Sequence, residues 1–166
     1  MDYTVFKTPI GYFKAVQEDG YITQVSYRGE RADEVRAQTE VLKELCRQFD
    51  RYFDGSLKEF SLPIKITGTP FRKRVLEELL KTGYGQTTTY KSLARAVGNP
   101  NASRAVGSAM RTNPLVIIVP CHRVLPSGGK LGNYSAGGPA NKEWLLAFEK
   151  QNSDSSGFLG ILSALQ

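Results

Sequence analysis

This chain is poor in the residues that build special-purpose scaffolds. Its 166 residues hold two cysteines, one histidine, one tryptophan and two methionines. Two cysteines cannot staple a disulfide-dense secreted domain. One histidine, with cysteines far apart at positions 46 and 121, cannot complete a tetrahedral metal set without several carboxylates, so no metal is expected. No apolar run nears the roughly 18–20 residues of a bilayer-spanning helix, and the N-terminus does not read as a secretory signal. The expected setting is a reducing compartment with no membrane contact: the cytoplasm, or the nucleus in a eukaryote. At 40% hydrophobic and 23% charged the chain is globular. It is long enough for one or two small domains with a real core.

Acidic residues are also scarce in one half. Residues 1–68 carry ten basic and eleven acidic side chains, whereas residues 69–166 carry twelve basic and only five acidic ones. The formal net charge of +6 is therefore a property of the second half. A polyanionic partner is the sharper reading and a merely soluble basic surface the plainer one.

The first third reads as strands. Tyr3 to Lys7 and Tyr12 to Val16 flank a turn at Pro9-Ile10-Gly11, and Asp19-Gly20 marks a tight turn into the alternating run from Tyr21 to Tyr27. After the charged stretch from Arg28 to Arg36, a helix carries Val41, Leu42, Leu45, Phe49, Tyr52 and Phe53 on one stripe. Phe60 to Ile66 is a further strand or an extended linker. The boundary falls at Gly68-Thr69-Pro70, where Thr69 caps a helix that starts at Pro70. That helix buries Phe71, Val75, Leu76, Leu79 and Leu80.

Thr89 then caps a short helix with Leu93, Ala94 and Val97 inward. A third helix reaches Arg111, with an inner stripe of Ala102, Ala105, Val106, Ala109 and Met110. Two short helices joined by a glycine-containing turn form a helix-turn-helix pattern. The outer face of the third helix holds Arg104, Gly107, Ser108 and Arg111. Small residues let a helix lie close to a nucleic-acid backbone, and arginines supply charge. The plainer reading is a solvated face, but such a face welcomes acids and this one has none.

The apolar run Leu115 to Val119 leads into Pro120-Cys121-His122-Arg123, which reads as a core strand with a thiol at its mouth. The only histidine directly follows that cysteine. A thiolate is a strong nucleophile, and a neighbouring base or cation activates it. Successive side chains diverge, so a water or a bent backbone has to join them. A free cysteine is by default a small buried hydrophobe, and Cys46 fits that description. Ser127-Gly128-Gly129-Lys130 suggests a wing hairpin. A last helix carries Trp144, Leu145 and Phe148, and Gln151 to Gly157 reads as a linker before an apolar end that packs on the body.

Taken together these motifs closely resemble the O6-alkylguanine-DNA alkyltransferase family. The resemblance rests on Pro120-Cys121-His122-Arg123-Val124, with Arg104-Ala105-Val106-Gly107 and Asn113-Pro114 before it. Gly132-Asn133-Tyr134-Ser135, Lys142-Glu143-Trp144-Leu145-Leu146 and Glu149 follow it. The first 68 residues match more loosely, through Thr8-Pro9-Ile10-Gly11, Tyr52-Phe53-Asp54-Gly55 and Leu62-Pro63. The implied architecture is an α/β N-terminal domain over 1–68, a small ribonuclease H-like antiparallel sheet plus helix. A mostly α winged helix-turn-helix domain over 69–150 and a tail over 151–166 complete it.

The resemblance also implies an activity and a set of roles. The protein would take the alkyl group from O6-alkylguanine in duplex DNA onto Cys121, irreversibly and once per molecule, as a monomer without a cofactor. His122 would act through a water as base, oriented by Glu149. Asn113 would fix the turn before the active-site segment, and Tyr90 would give a proton or hydrogen bond to the guanine. Ser135, Tyr134, Val124, Met110 and Gly132 would hold the lesion. Arg104 would replace the base flipped out through the minor groove, with Arg111, Ser108, Gly107, Thr89, Ala105 and Arg123 also at the DNA.

A thioether product has no ready hydrolytic exit, so a single turnover follows from the chemistry too. The segment from Tyr134 to Lys142 is one residue longer than the family pattern, which leaves the accepted alkyl size open. Two other readings stand beside this one. One is a module that binds alkylated bases without repairing them, although such relatives lack the acceptor cysteine. The other is a cysteine hydrolase or acyltransferase, which has no use for the basic helix face.

Overall fold

The computed structural model describes residues 1–165, with side chains described for 1–153. The chain builds a small sheet covered by one helix, followed by a largely helical half. Strands β1 (Asp2–Thr8), β2 (Gly11–Glu18) and β3 (Tyr21–Gly29) form an antiparallel meander in that order. The β2–β3 turn places Asp19 at φ 50° and Gly20 at φ 82°, the paired positive values that suit the twist of a tight hairpin. Phe13, Ala15, Ile22 and Val25 are buried. They lie under helix α1 (Glu40–Phe53), whose N-cap Thr39 accepts a hydrogen bond from the Leu42 amide. Phe6 and Phe13 from the sheet meet Phe49 from α1, with ring centroids 5.0 and 6.4 Å away.

The run over 60–66 is extended but is not a full strand. It makes one parallel bridge, Ile64 to Ile22. Helix α2 (Pro70–Leu79) is capped by Thr69 as expected. It ends one residue short of Leu80, which leaves the apolar stripe and stands 42% exposed. Strand β4 (Thr88–Thr89) leads into α3 (Tyr90–Ala96), with Thr89 as its N-cap. Helix α4 (Ser103–Arg111) follows. Its buried side is Val106, Ala109 and Met110. Ala102 is half-buried and Ala105 is exposed, so the inner stripe is shorter than its periodicity suggests and Ala105 joins the outer face with Arg104.

The segment from Leu115 to Val119 is buried throughout but is not a strand. Leu115 bridges to Val25 of β3, and Val116 bridges to Val119 across a tight turn with Ile117 at φ 72°. A β-branched residue in the left-handed region is strained. The side chain of Asn113 closes the turn: its Nδ2 donates to the Val119 carbonyl at 2.9 Å and its Oδ1 accepts from the Leu115 amide at 2.9 Å. The sheet backs the same turn, since the Val25 amide donates to the Pro114 carbonyl at 2.7 Å.

A single 3-10 turn, Cys121–Arg123, leads into β5 (Val124–Leu125), which pairs in parallel with β4. The loop over 126–137 contains no strand, so the wing hairpin expected around Ser127 to Lys130 is replaced by a glycine-rich coil. Helix α5 (Gly138–Leu165) runs straight through 151–157, where a linker was expected. The packing of its apolar end concerns side chains outside the described residues. Among the described residues, no helix is long and apolar enough to cross a membrane.

Candidate active site

Cys121 sits where the buried turn meets the first helical half-turn, 4% exposed. Burial pushes its thiol up to about 11, against the opposing pull of the Asn113 side chain and the Lys142 charge. At neutral pH the sulfur is therefore a protonated thiol that needs a base. His122, the next residue, is fully buried with its Nε2 2.8 Å from Oε2 of Glu149. Burial lowers its pKa, while hydrogen bonding to Glu149 raises it; the net shift is down. An ionised carboxylate can only accept, so Nε2 carries the proton. Nδ1 is then a bare acceptor, and it is buried without a hydrogen-bond partner. A neutral imidazole with a free lone pair is a base ready to take a proton.

Glu149 is the hub behind that imidazole. Its Oε1 accepts from Arg123 Nε at 2.8 Å and from the Gly85 amide at 3.3 Å. Its Oε2 accepts from His122, from Arg123 Nη2 at 3.0 Å and from the Tyr52 hydroxyl at 2.5 Å. Burial raises the carboxyl pKa, but the His122 and Arg123 hydrogen bonds outweigh it and hold the group ionised well below the usual carboxylate range. Arg123 Nη1 also donates to the Thr82 carbonyl at 2.7 Å. A buried ion pair persists only when its remaining valences are satisfied like this.

In front of the thiol lies a cavity of about 1010 Å³. Tyr90 from α3, Met110 from α4, and Gly132, Tyr134 and Ser135 from the glycine-rich coil share its wall with Cys121. Arg104, Gly107 and Arg111 of α4 line its outer part. Burial, and then the neighbouring Cys121, raise the Tyr90 phenol, so it remains a proton donor at neutral pH. Gly132 stands at φ 80°, and an added Cβ there would meet Pro126 at 3.0 Å and Lys142 Nζ at 3.4 Å. That glycine is required by both its backbone and its surroundings.

The two halves of the chain match two halves of one family. Residues 1–66 match the 6-O-methylguanine DNA methyltransferase ribonuclease-like domain, and residues 70–151 match the DNA binding domain of 6-O-methylguanine DNA methyltransferase. The chain belongs to the 6-O-methylguanine DNA methyltransferase family. It is 40% identical to the methylated-DNA–protein-cysteine methyltransferase of Methanosarcina acetivorans, over 90% of this chain and 98% of that one. It is 36% identical to the constitutive methylated-DNA–protein-cysteine methyltransferase of Bacillus subtilis, over 89% and 94%. The crystal structure of Mycobacterium tuberculosis OGT in complex with DNA superposes with a TM-score of 0.79 at 36% identity, covering 90% of this chain and 93% of that one.

Within this methyltransferase framework most of the expected residues converge. Cys121, Tyr90, Met110, Gly132, Tyr134, Ser135, Arg104, Gly107 and Arg111 share one cavity, and His122, Glu149 and Asn113 lie directly behind it. Ser108 and Ala105 are exposed on α4. Thr89 is occupied as a cap, accepting from the Ser92 amide at 3.0 Å.

Two expectations change. Arg123, expected at the DNA, is buried, with its guanidinium committed to Glu149 and Thr82. Val124, expected at the lesion, is fully buried in β5 and takes part through its carbonyl, which accepts from Lys142 Nζ at 2.6 Å.

Lys142 and Tyr52 were missed as site residues. Lys142 is a fully buried cation that ties Val124 to the Asn133 carbonyl, at 3.3 Å. Its sequence signals are its place in the Lys142-Glu143-Trp144-Leu145-Leu146 motif and on the inner side of the last helix. Tyr52 reads as part of the α1 stripe and of the looser Tyr52-Phe53-Asp54-Gly55 match, and nothing local marks its hydroxyl.

Proposed function

We propose that this protein repairs O6-alkylguanine in double-stranded DNA by moving the alkyl group to Cys121, once per molecule. The observation that carries this reading is the buried Cys121 thiol, open in front to a cavity beside α4 and backed by the His122–Glu149 pair. The thiol proton passes to Nδ1 of His122, through a bridging water. The sulfur attacks the alkyl carbon, the S–C bond forms and the C–O bond to guanine breaks. Tyr90 supplies a proton or hydrogen bond to the departing base. Glu149 keeps the imidazole in the tautomer that accepts. The thioether has no route back to a thiol, so the protein is consumed.

An O6 atom inside a duplex is out of reach of a cavity, so the nucleotide is flipped out, at a cost of about a few kcal/mol. Arg104, exposed at the cavity mouth, fills the gap in the stack, and α4 enters the minor groove. Gly107 supports this placement. A Cβ there would meet nothing inside the protein closer than 3.6 Å, although glycine in a helix costs about 0.5–1 kcal/mol relative to alanine. The fold does not require this glycine, whereas close approach to a DNA backbone does. Arg111, Ser108 and Ala105 complete the face, and Ser135, Met110, Gly132 and Tyr134 surround the flipped base. Thr89 places the α3 N-terminus beside the phosphates.

In this reading residues 1–68 form a reduced ribonuclease H-like domain and 69–150 a helix-turn-helix domain, with the coil over 126–137 in the position of a wing and 151–166 as an appended helical end. The protein works as a monomer without cofactor, in the cytoplasm or nucleus. The deciding experiment mixes it with duplex DNA containing O6-methylguanine and maps the product by digestion and mass spectrometry. One methyl group on the Cys121 peptide, saturating at one per protein, is expected. Repeated turnover, or an adduct on Cys46 alone, overturns the reading.

A further inference from the structure

The sheet-bearing half also reaches the reaction centre. Tyr52 lies on α1, 97 residues from Glu149 in sequence, and is 1% exposed. Its hydroxyl donates to Oε2 of Glu149, the same oxygen that holds Nε2 of His122. We propose that Tyr52 is a positioning residue that tunes His122 through Glu149: its hydroxyl draws charge from Oε2 and so keeps the imidazole neutral and able to accept the Cys121 proton. The inference rests on the reading of His122 as the base.

The physics is that of shared acceptors. Oε2 serves three donors, Tyr52, His122 and Arg123 Nη2. Each donor bond spreads the carboxylate charge and weakens the pull of that oxygen on the others. A stronger pull on the Nε2 proton makes the imidazole more basic and favours imidazolium, which cannot take a thiol proton.

Other groups also act on His122. Glu149 and Lys142 face it from α5, Arg123 from its own turn, and the Tyr134 ring from the coil, with centroids 6.3 Å apart. Tyr84 adds its phenol near Glu149 and Arg123. Among these, Tyr52 hydrogen-bonds the carboxylate from the other half of the molecule. Burial, followed by the Glu149 charge, raises its phenol well above its ordinary range, so the hydroxyl is a permanent donor. An aromatic cage of Phe53, Phe60 and Phe148, with centroids 5.0, 5.5 and 6.0 Å from its ring, fixes its direction.

The test uses the single histidine. In untagged, nitrogen-15-labelled protein every imidazole signal belongs to His122. Its titration can be followed in the wild type, in Tyr52→Phe, and in protein with 3-fluorotyrosine, a stronger donor, placed at position 52. The expected result is a His122 midpoint higher by about half a pH unit or more in Tyr52→Phe and lower with fluorotyrosine. The acid limb of single-turnover methyl transfer should move with it. Any loss of rate in Tyr52→Phe should be larger on the acid limb than at the alkaline plateau.

An unchanged imidazole signal and titration, or an upward shift in both variants, overturns the proposal. A loss of rate that is equal at every pH also overturns it, because a merely structural role predicts that pattern. If Tyr52→Phe fails to fold, the fluorotyrosine protein, which keeps the hydroxyl and the ring, decides alone. The imidazole titration needs no alkyl transfer, so failure of the repair reading and failure of this proposal give different results.

Discussion

The two sides of Cys121 are built on opposite physical terms. Behind it, His122, Arg123, Glu149 and Tyr52 are buried and fixed by bonds of 2.5–3.0 Å. In front, α4 offers exposed arginines and small residues around an open cavity. A buried polar network is tightly coupled: each member satisfies another, and losing one leaves its partners short of a hydrogen bond. An exposed charged face is graded, because each contact is screened and replaceable. The reactive sulfur lies on the seam between the two.

The harshest break of this comparison is at the seam itself. Cys121→Ser should abolish methyl transfer, as read by mass spectrometry, while duplex binding in a gel or anisotropy assay persists. Next comes the rear. Glu149→Gln removes the charge that pairs Arg123 and holds His122, so transfer should slow by about 10²-fold or more. Chemical denaturation should report a loss of about 3–5 kcal/mol.

The rear also carries a pH signature. Glu149 and His122 both have depressed folded-state values, so the stability each contributes is full above its unfolded value and is lost as pH falls. Melting temperature should decline as pH drops below about 6.5 and fall further below about 4.3. Glu149→Gln should flatten the second part.

The front should answer differently. Arg104→Ala should cut duplex binding and repair by about tenfold or more, yet leave reaction with the free O6-alkylguanine base nearly unchanged. Equal loss on both substrates would remove the finger role. Gly107→Ala should separate stability from function: about 0.5–1 kcal/mol more stable by thermal or chemical unfolding, but weaker on DNA. The smallest effect belongs to the other cysteine. Cys46 packs half-buried on α1, its sulfur 4.0 Å from the Thr4 hydroxyl. Cys46→Ser should shift stability by about 1 kcal/mol or less and leave the transfer stoichiometry at one.

Much of the front was legible because it is local. Helix periodicity places Arg104, Gly107 and Arg111 on one face, and Thr69 and Thr89 mark helix starts by cap chemistry alone. Periodicity failed at the edges. Leu80 and Ala105 carry apolar side chains in phase with a stripe, but α2 ends before the first and the second faces outward. The run from Leu115 to Val119 is apolar enough for a strand, yet Asn113 hydrogen-bonds both of its ends and folds it into a turn. Binary patterning does not record that bond.

The sequence by itself determined the chemistry that neighbours can express. It paired the only histidine with one of two cysteines, placed the positive charge in the second half, and set out the helix face that lines the mouth of the cavity. Only the tertiary structure decided what backs the thiol. Arg123 turned inward, Lys142 became a buried strut, and Tyr52 reached Glu149 across 97 residues of chain. The reason is that a hydrogen-bond partner is chosen by proximity in space and by exclusion of water. Both of these are properties of the packed core and of no local stretch of the chain.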